Sequence, residues 1–403
     1  MPAGVLATRV ITAAAVAFGV ATAFAAPASA GTARVVYRFE PGNDGTEELH
    51  SKVAFVAGPG ESNQVALEDA GEVETEDNLY YRTRVTDSST PIRAGESCSQ
   101  EGPHSVLCTS TGFPDSGSAT LGDRDDALRM AHGGVVAEGG AGDDLLIGSQ
   151  SADRLDGGPG TDVIQGLRGN DVLRDSGGGE RDLLDGGGGT QPSDGIDTLD
   201  LSGRREDLRI DLARGVAGER GERDRVRSIE NVVPGRGDDV VIGTRGRNVF
   251  EERLGAHNEG SNSWTPTERS GDDRFHGGGG RDGMTSLGGL DRLVGGGDRD
   301  VLICHEALTQ RCRIRGGAGD DSLSGSGGRD ELWGGAGADT IIGKGGDDRL
   351  AGGAGRDTMF GNQGRDLLLA RDGGRDRVAG GRGRDRARVD RAVDLLRGVE
   401  ALF

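Results

Sequence analysis

From Gly316 the chain repeats every nine residues: GGAGDDSLS, GSGGRDELW, GGAGADTII, GKGGDDRLA, GGAGRDTMF, GNQGRDLLL. The sixth position is always aspartate (Asp321, Asp330, Asp339, Asp348, Asp357 and Asp366), and the eighth is always a large apolar residue (Leu323, Leu332, Ile341, Leu350, Met359 and Leu368). One apolar residue in nine cannot make a core unless repeat stacks on repeat, so the period specifies a solenoid. Each nonapeptide reads as half a coil, with six residues of glycine-rich loop and three of strand. Two of them make one turn of an all-β parallel β-roll. Asp321, Asp339 and Asp357 then fall on one edge, and Asp330, Asp348 and Asp366 on the other.

The same register appears earlier. Asp144, Asp153, Asp162 and Asp171 form one block, and Asp273, Asp282, Asp291 and Asp300 another. After Asp366 one residue is inserted, and Asp376 and Asp385 resume the spacing. Asp126 lies two periods before Asp144 and marks a degenerate first coil. The roll is expected over 119–403, interrupted around 186–270 and 304–315. Within the first interruption, IDTLDLSG and LRIDLARG replace the glycine loops with period-two apolar runs and predict plainer β coils. Val389–Phe403 gathers apolar residues where glycine stops, as a C-terminal cap would.

Glycines at positions one, two and four let carbonyl oxygens turn inward without a Cβ in the way. The sixth-position carboxylate adds a charged oxygen. Stacked loops would thus enclose six or more oxygens, a donor set suited to Ca²⁺ and too irregular for Mg²⁺. The candidate ligands are the sixteen aspartates Asp144, Asp153, Asp162, Asp171, Asp273, Asp282, Asp291, Asp300, Asp321, Asp330, Asp339, Asp348, Asp357, Asp366, Asp376 and Asp385. Pairing loops two apart gives about eight or more ions, whose charge is comparable with the formal −20 of the chain. Without metal, stacked carboxylates repel and the sparse core falls short of the chain entropy, so binding and folding are expected to be one event.

Residues 31–118 differ from the rest. Short β-type runs at Val35–Phe39, Lys52–Val56, Gln64–Leu67, Leu79–Val85 and Ser105–Cys108 predict a small antiparallel β domain preceding the roll. The cysteines form two local pairs, Cys98–Cys108 and Cys304–Cys312, spaced for disulfides rather than for zinc. Residues 1–30 read as an export signal, with an apolar run at 10–26 and an A-x-A site at Ala28–Ala30, cleaved after Ala30. No later segment is apolar enough to span a bilayer. The protein is therefore expected outside the cell, as a monomer.

The nonapeptides resemble hemolysin-type calcium-binding (RTX) repeats, over most of residues 119–403. The resemblance implies a right-handed parallel β-roll with calcium between the loops, folding where calcium is plentiful. It extends the ligand role to the position-six aspartates one by one. Glu180, Asp182, Asn248 and Val135 depart from the pattern. An N-terminal signal with such repeats is similar to secreted calcium-binding proteins of high-GC Gram-positive bacteria.

Catalytic motifs are missing from the sequence. His305-Glu306 begins like H-E-x-x-H, but Thr309 stands where the second histidine belongs, and no G-x-S-x-G elbow occurs. The acidic balance argues against nucleic acid and anionic membranes as partners. The expected function is a secreted, non-catalytic calcium-binding scaffold. The alternatives are a cell-surface or matrix adhesin binding through residues 31–118 and, behind it, a calcium-dependent hydrolase with an unrecognised site.

Overall fold

The computed structural model describes residues 30–41, 47–74, 79–110, 114–131, 133–188, 195–252, 271–305, 310–390 and 393–402. The proposed signal, the Glu306–Thr309 part of the protease-like motif and most of the polar stretch around 251–270 lie outside them. No helix occurs among the described residues, and so none is long and apolar enough to cross a membrane. The strands form a parallel β-solenoid of about 14 turns.

Two facing stacks make the solenoid. One runs from Gly134–Gly140 through Arg154–Asp156 and Val172–Arg174 to Arg377–Arg382 and Leu395–Arg397. The other runs from Ala127–Met130 through Leu145–Ile147 and Val163–Gln165 to Arg386–Val389 and Ala401–Leu402. Within the regular repeats the partner is eighteen residues on, as Leu323↔Ile341 and Leu332↔Leu350 show. In the regular repeats only the middle residue of a three-residue strand points inward. Leu146, Leu155, Ile164, Leu173, Leu332, Ile341, Leu350 and Leu368 are all fully buried in one continuous core. Its neighbours on either side face out.

Most loops stack closely because glycine leaves position two without a side chain. Gly335, at position two, has φ +125°, and a Cβ there would stand 2.0 Å from the Gly317 carbonyl oxygen of the preceding coil. Successive loops therefore lie in backbone contact, stacked at the pitch of the sheets.

Strands form at each of the five β-type runs before residue 119. Gly31–Pro41 pairs antiparallel with Glu47–Val56, and Gln64–Glu74 with Leu79–Asp87. Pro114–Gly122 pairs in parallel with both Glu47–Val56 and Gly134–Gly140, while Gln64–Glu74 pairs with Ala127–Met130. Both solenoid stacks thus continue into the N-terminal strands. The sulfurs of Cys98 and Cys108, and of Cys304 and Cys312, are at bonding distance.

The middle of the chain departs from the expected plain coils. Arg209–Asp211, Val216–Ala217 and Asp224–Arg227 form an antiparallel meander between Leu183–Asp185 and Val240–Ile242. Gly215 (φ +68°) and Gly218 (φ +116°) provide the tight reversals that a coil does not need. At the far end Leu395–Arg397 and Ala401–Leu402 add a further coil. Its Leu395, Leu396 and Leu402 remain 49%, 41% and 39% exposed, because no described coil stacks beyond them.

Replacing Leu350 by alanine empties a core position that neighbouring coils cannot refill. It is expected to destabilise the folded protein by about 2–5 kcal/mol in denaturant unfolding, whereas outward-facing Thr340→Ala should change stability by less than about 0.5 kcal/mol.

Candidate metal centre

Each position-six aspartate ends its loop and turns back beneath the strand that follows. The backbone N–H of Asp321 donates to Asp339 Oδ1, and that of Asp339 to Asp357 Oδ1, both at 2.9 Å. On the opposite edge Asp330 donates to Asp348 and Asp348 to Asp366, at 2.8 and 3.0 Å. The contact repeats from Asp126→Asp144→Asp162 to Asp357→Asp376 and Asp366→Asp385. All sixteen sequence-predicted aspartates are buried, none more than 4% exposed, and they fall on two internal ladders.

One oxygen of the carboxylate is thereby used. In most loops the other is not. Oδ2 of Asp144, Asp171, Asp282, Asp300, Asp321, Asp339, Asp348, Asp357, Asp366, Asp376 and Asp385 is buried and has no hydrogen-bond partner. These oxygens converge on backbone carbonyls beside the first glycine of the loop. A Cβ on Gly316 would lie 2.2 Å from Asp321 Oδ2 and 2.6 Å from the Gly334 carbonyl oxygen; on Gly361, 2.2 Å from Asp366 Oδ2 and 2.6 Å from Gly380 O. Buried oxygen acceptors facing one another without a donor are a costly arrangement. A hard divalent cation satisfies it, and oxygen-only donors on an adaptable backbone fit calcium. The residues present therefore fit the metal that the repeats imply.

Three loops close differently. Where position two is serine, its backbone N–H donates to Oδ2 of its own loop: Ser149 to Asp153 and Ser326 to Asp330, both at 2.6 Å, with each hydroxyl adding a longer bond. Thr244 does the same to Asn248 Oδ1 at 2.7 Å. Among the described residues Leu167, Lys344 and Asn362 occupy position two in the left-handed region at φ +81°, +75° and +72°, whereas Ser149, Thr244 and Ser326 do not. The hydroxyl residue folds inward as a cap.

A fourth departure lies where the glycine pattern slips. Arg204, 4% exposed, donates to Asp175 Oδ2 and Glu222 Oε2, each at 2.8 Å. Carboxylate oxygens of Asp175, Glu222 and Asp224 lie within 4.8 Å of one another. Burial first, then the neighbouring Asp182, pushes the Asp175 carboxyl up to about 8 despite Arg204. Here the chain supplies its own cation.

The ladders contain members outside the sixteen. Asp182, Asp197 and Asp224 accept from Asp162, Asp171 and Asp182. Asp239 accepts from Leu208 and donates to Asp273. Asp394 accepts from Asp376, while Glu230 and Glu400 accept from Asp197 and Asp385. An acid two residues before an apolar strand centre marks each of them: Asp197 before Leu199, Asp224 before Val226, Asp394 before Leu396. Position six is Val135 in one coil and Cys312 in another, and both donate to the ladder without adding a carboxylate.

Burial is also the main cause of the raised carboxyl pKa values. Asp144, Asp171, Asp300 and Asp339 are pushed up to about 7 and Asp348 to about 8, with adjacent ladder aspartates adding to the rise. Backbone N–H donors oppose it without overcoming it.

The family model of the RTX calcium-binding nonapeptide repeat matches residues 138–173, 269–302, 313–341, 333–368 and 372–398. No curated protein matches the chain.

These carboxyls sit above their ordinary value of 3.8, so the folded metal-free chain holds more protons than the unfolded one. The stability they contribute is fully present below about pH 4 and disappears as pH rises through about 6–8. In chelator, circular dichroism should show more β structure at about pH 5 than at about pH 8. Calcium, competing with those protons, should bind more weakly as pH falls from about 8 to 6.

Proposed function

We propose that this chain, which carries RTX calcium-binding nonapeptide repeats, is an exported calcium-binding scaffold whose coils fold as the ladder carboxylates take up Ca²⁺. The observation that carries this reading is the row of buried Oδ2 atoms that face carbonyl oxygens and have no donor. Calcium neutralises stacked carboxylates and draws neighbouring coils together, a function that needs no catalytic residue.

Asp144, Asp162, Asp171, Asp282, Asp300, Asp321, Asp339, Asp348, Asp357, Asp366, Asp376 and Asp385 are the proposed ligands. Asp273 and Asp291 join them through a cluster that includes Glu252, where Asp273 is hydrogen-bonded to Glu252 and Asp291 to Ser286. Asp153 and Asp330 belong to the ladders, but their inner oxygens already accept from Ser149 and Ser326, so these two loops hold together without metal. Residues 1–30 are read as the export signal, and oxidised Cys98–Cys108 and Cys304–Cys312 suit the compartment beyond it. In this reading residues 31–118 close the first coil, and the protein acts as a monomer.

Equilibrium dialysis against ⁴⁵Ca²⁺ tests the assignment. Asp348→Asn keeps the oxygen that accepts from Asp330 and removes the charge, and is expected to lower the bound calcium by about one ion. Ser326→Gly removes the hydroxyl donor to Asp330 and frees position two for the left-handed φ of the other loops, which turns its N–H away, and is expected to raise it by about one. Unchanged stoichiometry in both variants would contradict the ladder as the calcium site.

A further inference from the structure

The formal charge of −20 misrepresents the surface, because it counts the sixteen position-six aspartates, all of which are buried. What remains outside is distributed unevenly. From strand Arg274–Gly278 to strand Arg386–Val389, the outer face of one sheet is built from two side-chain columns. The first reads Arg274, Arg292, Arg313, Glu331, Arg349, Leu367, Arg386 in direct register. The second reads His276, Val294, Arg315, Trp333, Ala351, Leu369, Arg388. The seven arginines are exposed, and Glu331 is the face's lone acid.

The opposite sheet of the same coils shows that this is not merely an arginine-rich composition. At the same two strand positions its residues are Gly283, Thr285, Val301, Ile303, Ser322, Ser324, Thr340, Ile342, Thr358 and Phe360, all uncharged before Arg377, with Lys344 standing further along Thr340–Gly345. One face carries two columns rich in arginine and its counterpart does not.

We infer that this basic face is a docking surface for an extended acidic polysaccharide. Strands spaced ~4.8 Å apart set Arg274, Arg292 and Arg313 in succession and Arg349 beyond Glu331, and a guanidinium is a planar fork that matches a carboxylate; Glu331, 3.3 Å from Arg313, already shows that match. Beside that line Trp333, Ala351 and Leu369 form an apolar strip. Arg315 stands over the Trp333 ring, 5.4 Å from its centroid, and holds the ring in place. A flat apolar strip flanked by cations suits the alternation of apolar ring faces and carboxylates along a uronate chain. A nucleic-acid strand would call for successive aromatic platforms, and this face has only the Trp333 ring and, three strands away, the His276 imidazole. Rows of like charge on a rigid sheet bind a multivalent chain with strong salt dependence.

The test uses the full chain, folded in calcium, and a fluorescently labelled hyaluronan fragment, read by anisotropy. Binding should weaken steeply with added salt. The triple variant Arg313→Gln, Arg315→Gln, Arg349→Gln should bind about tenfold more weakly or worse, with unchanged circular dichroism. Arg377→Gln on the neutral sheet should bind as the parent does, and neutral dextran should not compete. Equal affinity of the triple variant, competition by dextran, or binding of single-stranded DNA without binding of hyaluronan would each overturn the proposal.

Discussion

A carboxylate buried at nearly every half-turn is the constraint on which this structure rests. Desolvation and repulsion along each ladder make such a column unfavourable unless every inner oxygen meets positive charge or a donor. Most loops leave that requirement open and face it with carbonyl oxygens, which calcium satisfies. A few meet it internally, through the Ser149 and Ser326 caps or the Arg204 guanidinium. Protons meet it in acid.

The same constraint explains the division of labour within the nonapeptide. The core contributes one apolar side chain per half-coil, so packing alone binds successive coils weakly. Glycine at positions one, two and four brings neighbouring loops into backbone contact, and this lets one carboxylate serve two coils. Oδ1 holds the N–H of the coil before, while Oδ2 faces the carbonyl of the coil after. Cohesion along the solenoid thus passes through the loop edges as much as through the core. Each coil depends on its immediate neighbours, as in other solenoids.

Much of this was legible in the sequence. The nine-residue period gave the coil, its eighteen-residue register and the buried positions from Leu146 to Leu368. Asp197 and Asp224 escaped because inserted residues break the spacing, with ladder partners 26 and 42 residues apart instead of 18, although the acid-x-apolar signature persists. The meander at 209–227 was hidden because a period-two run reads alike in a coil and in a hairpin. Ser149 and Ser326 look like ordinary tolerance at a glycine position until their N–H groups are seen on the carboxylate. The arginine columns are likewise invisible in a linear reading, since their members stand about two periods apart and face one side only once coiled. Net charge was the most misleading single number: it counts aspartates that the fold takes out of the surface.

The account turns on whether cations and coils assemble together. Far-UV circular dichroism of residues 31–403, titrated with Ca²⁺ and separately with Mg²⁺ at about pH 8, tests this most directly. The account predicts little β structure in chelator, a cooperative gain with calcium and little response to magnesium. A full β spectrum in chelator at that pH would contradict it, because the buried carboxylates would then be stable with nothing to neutralise them.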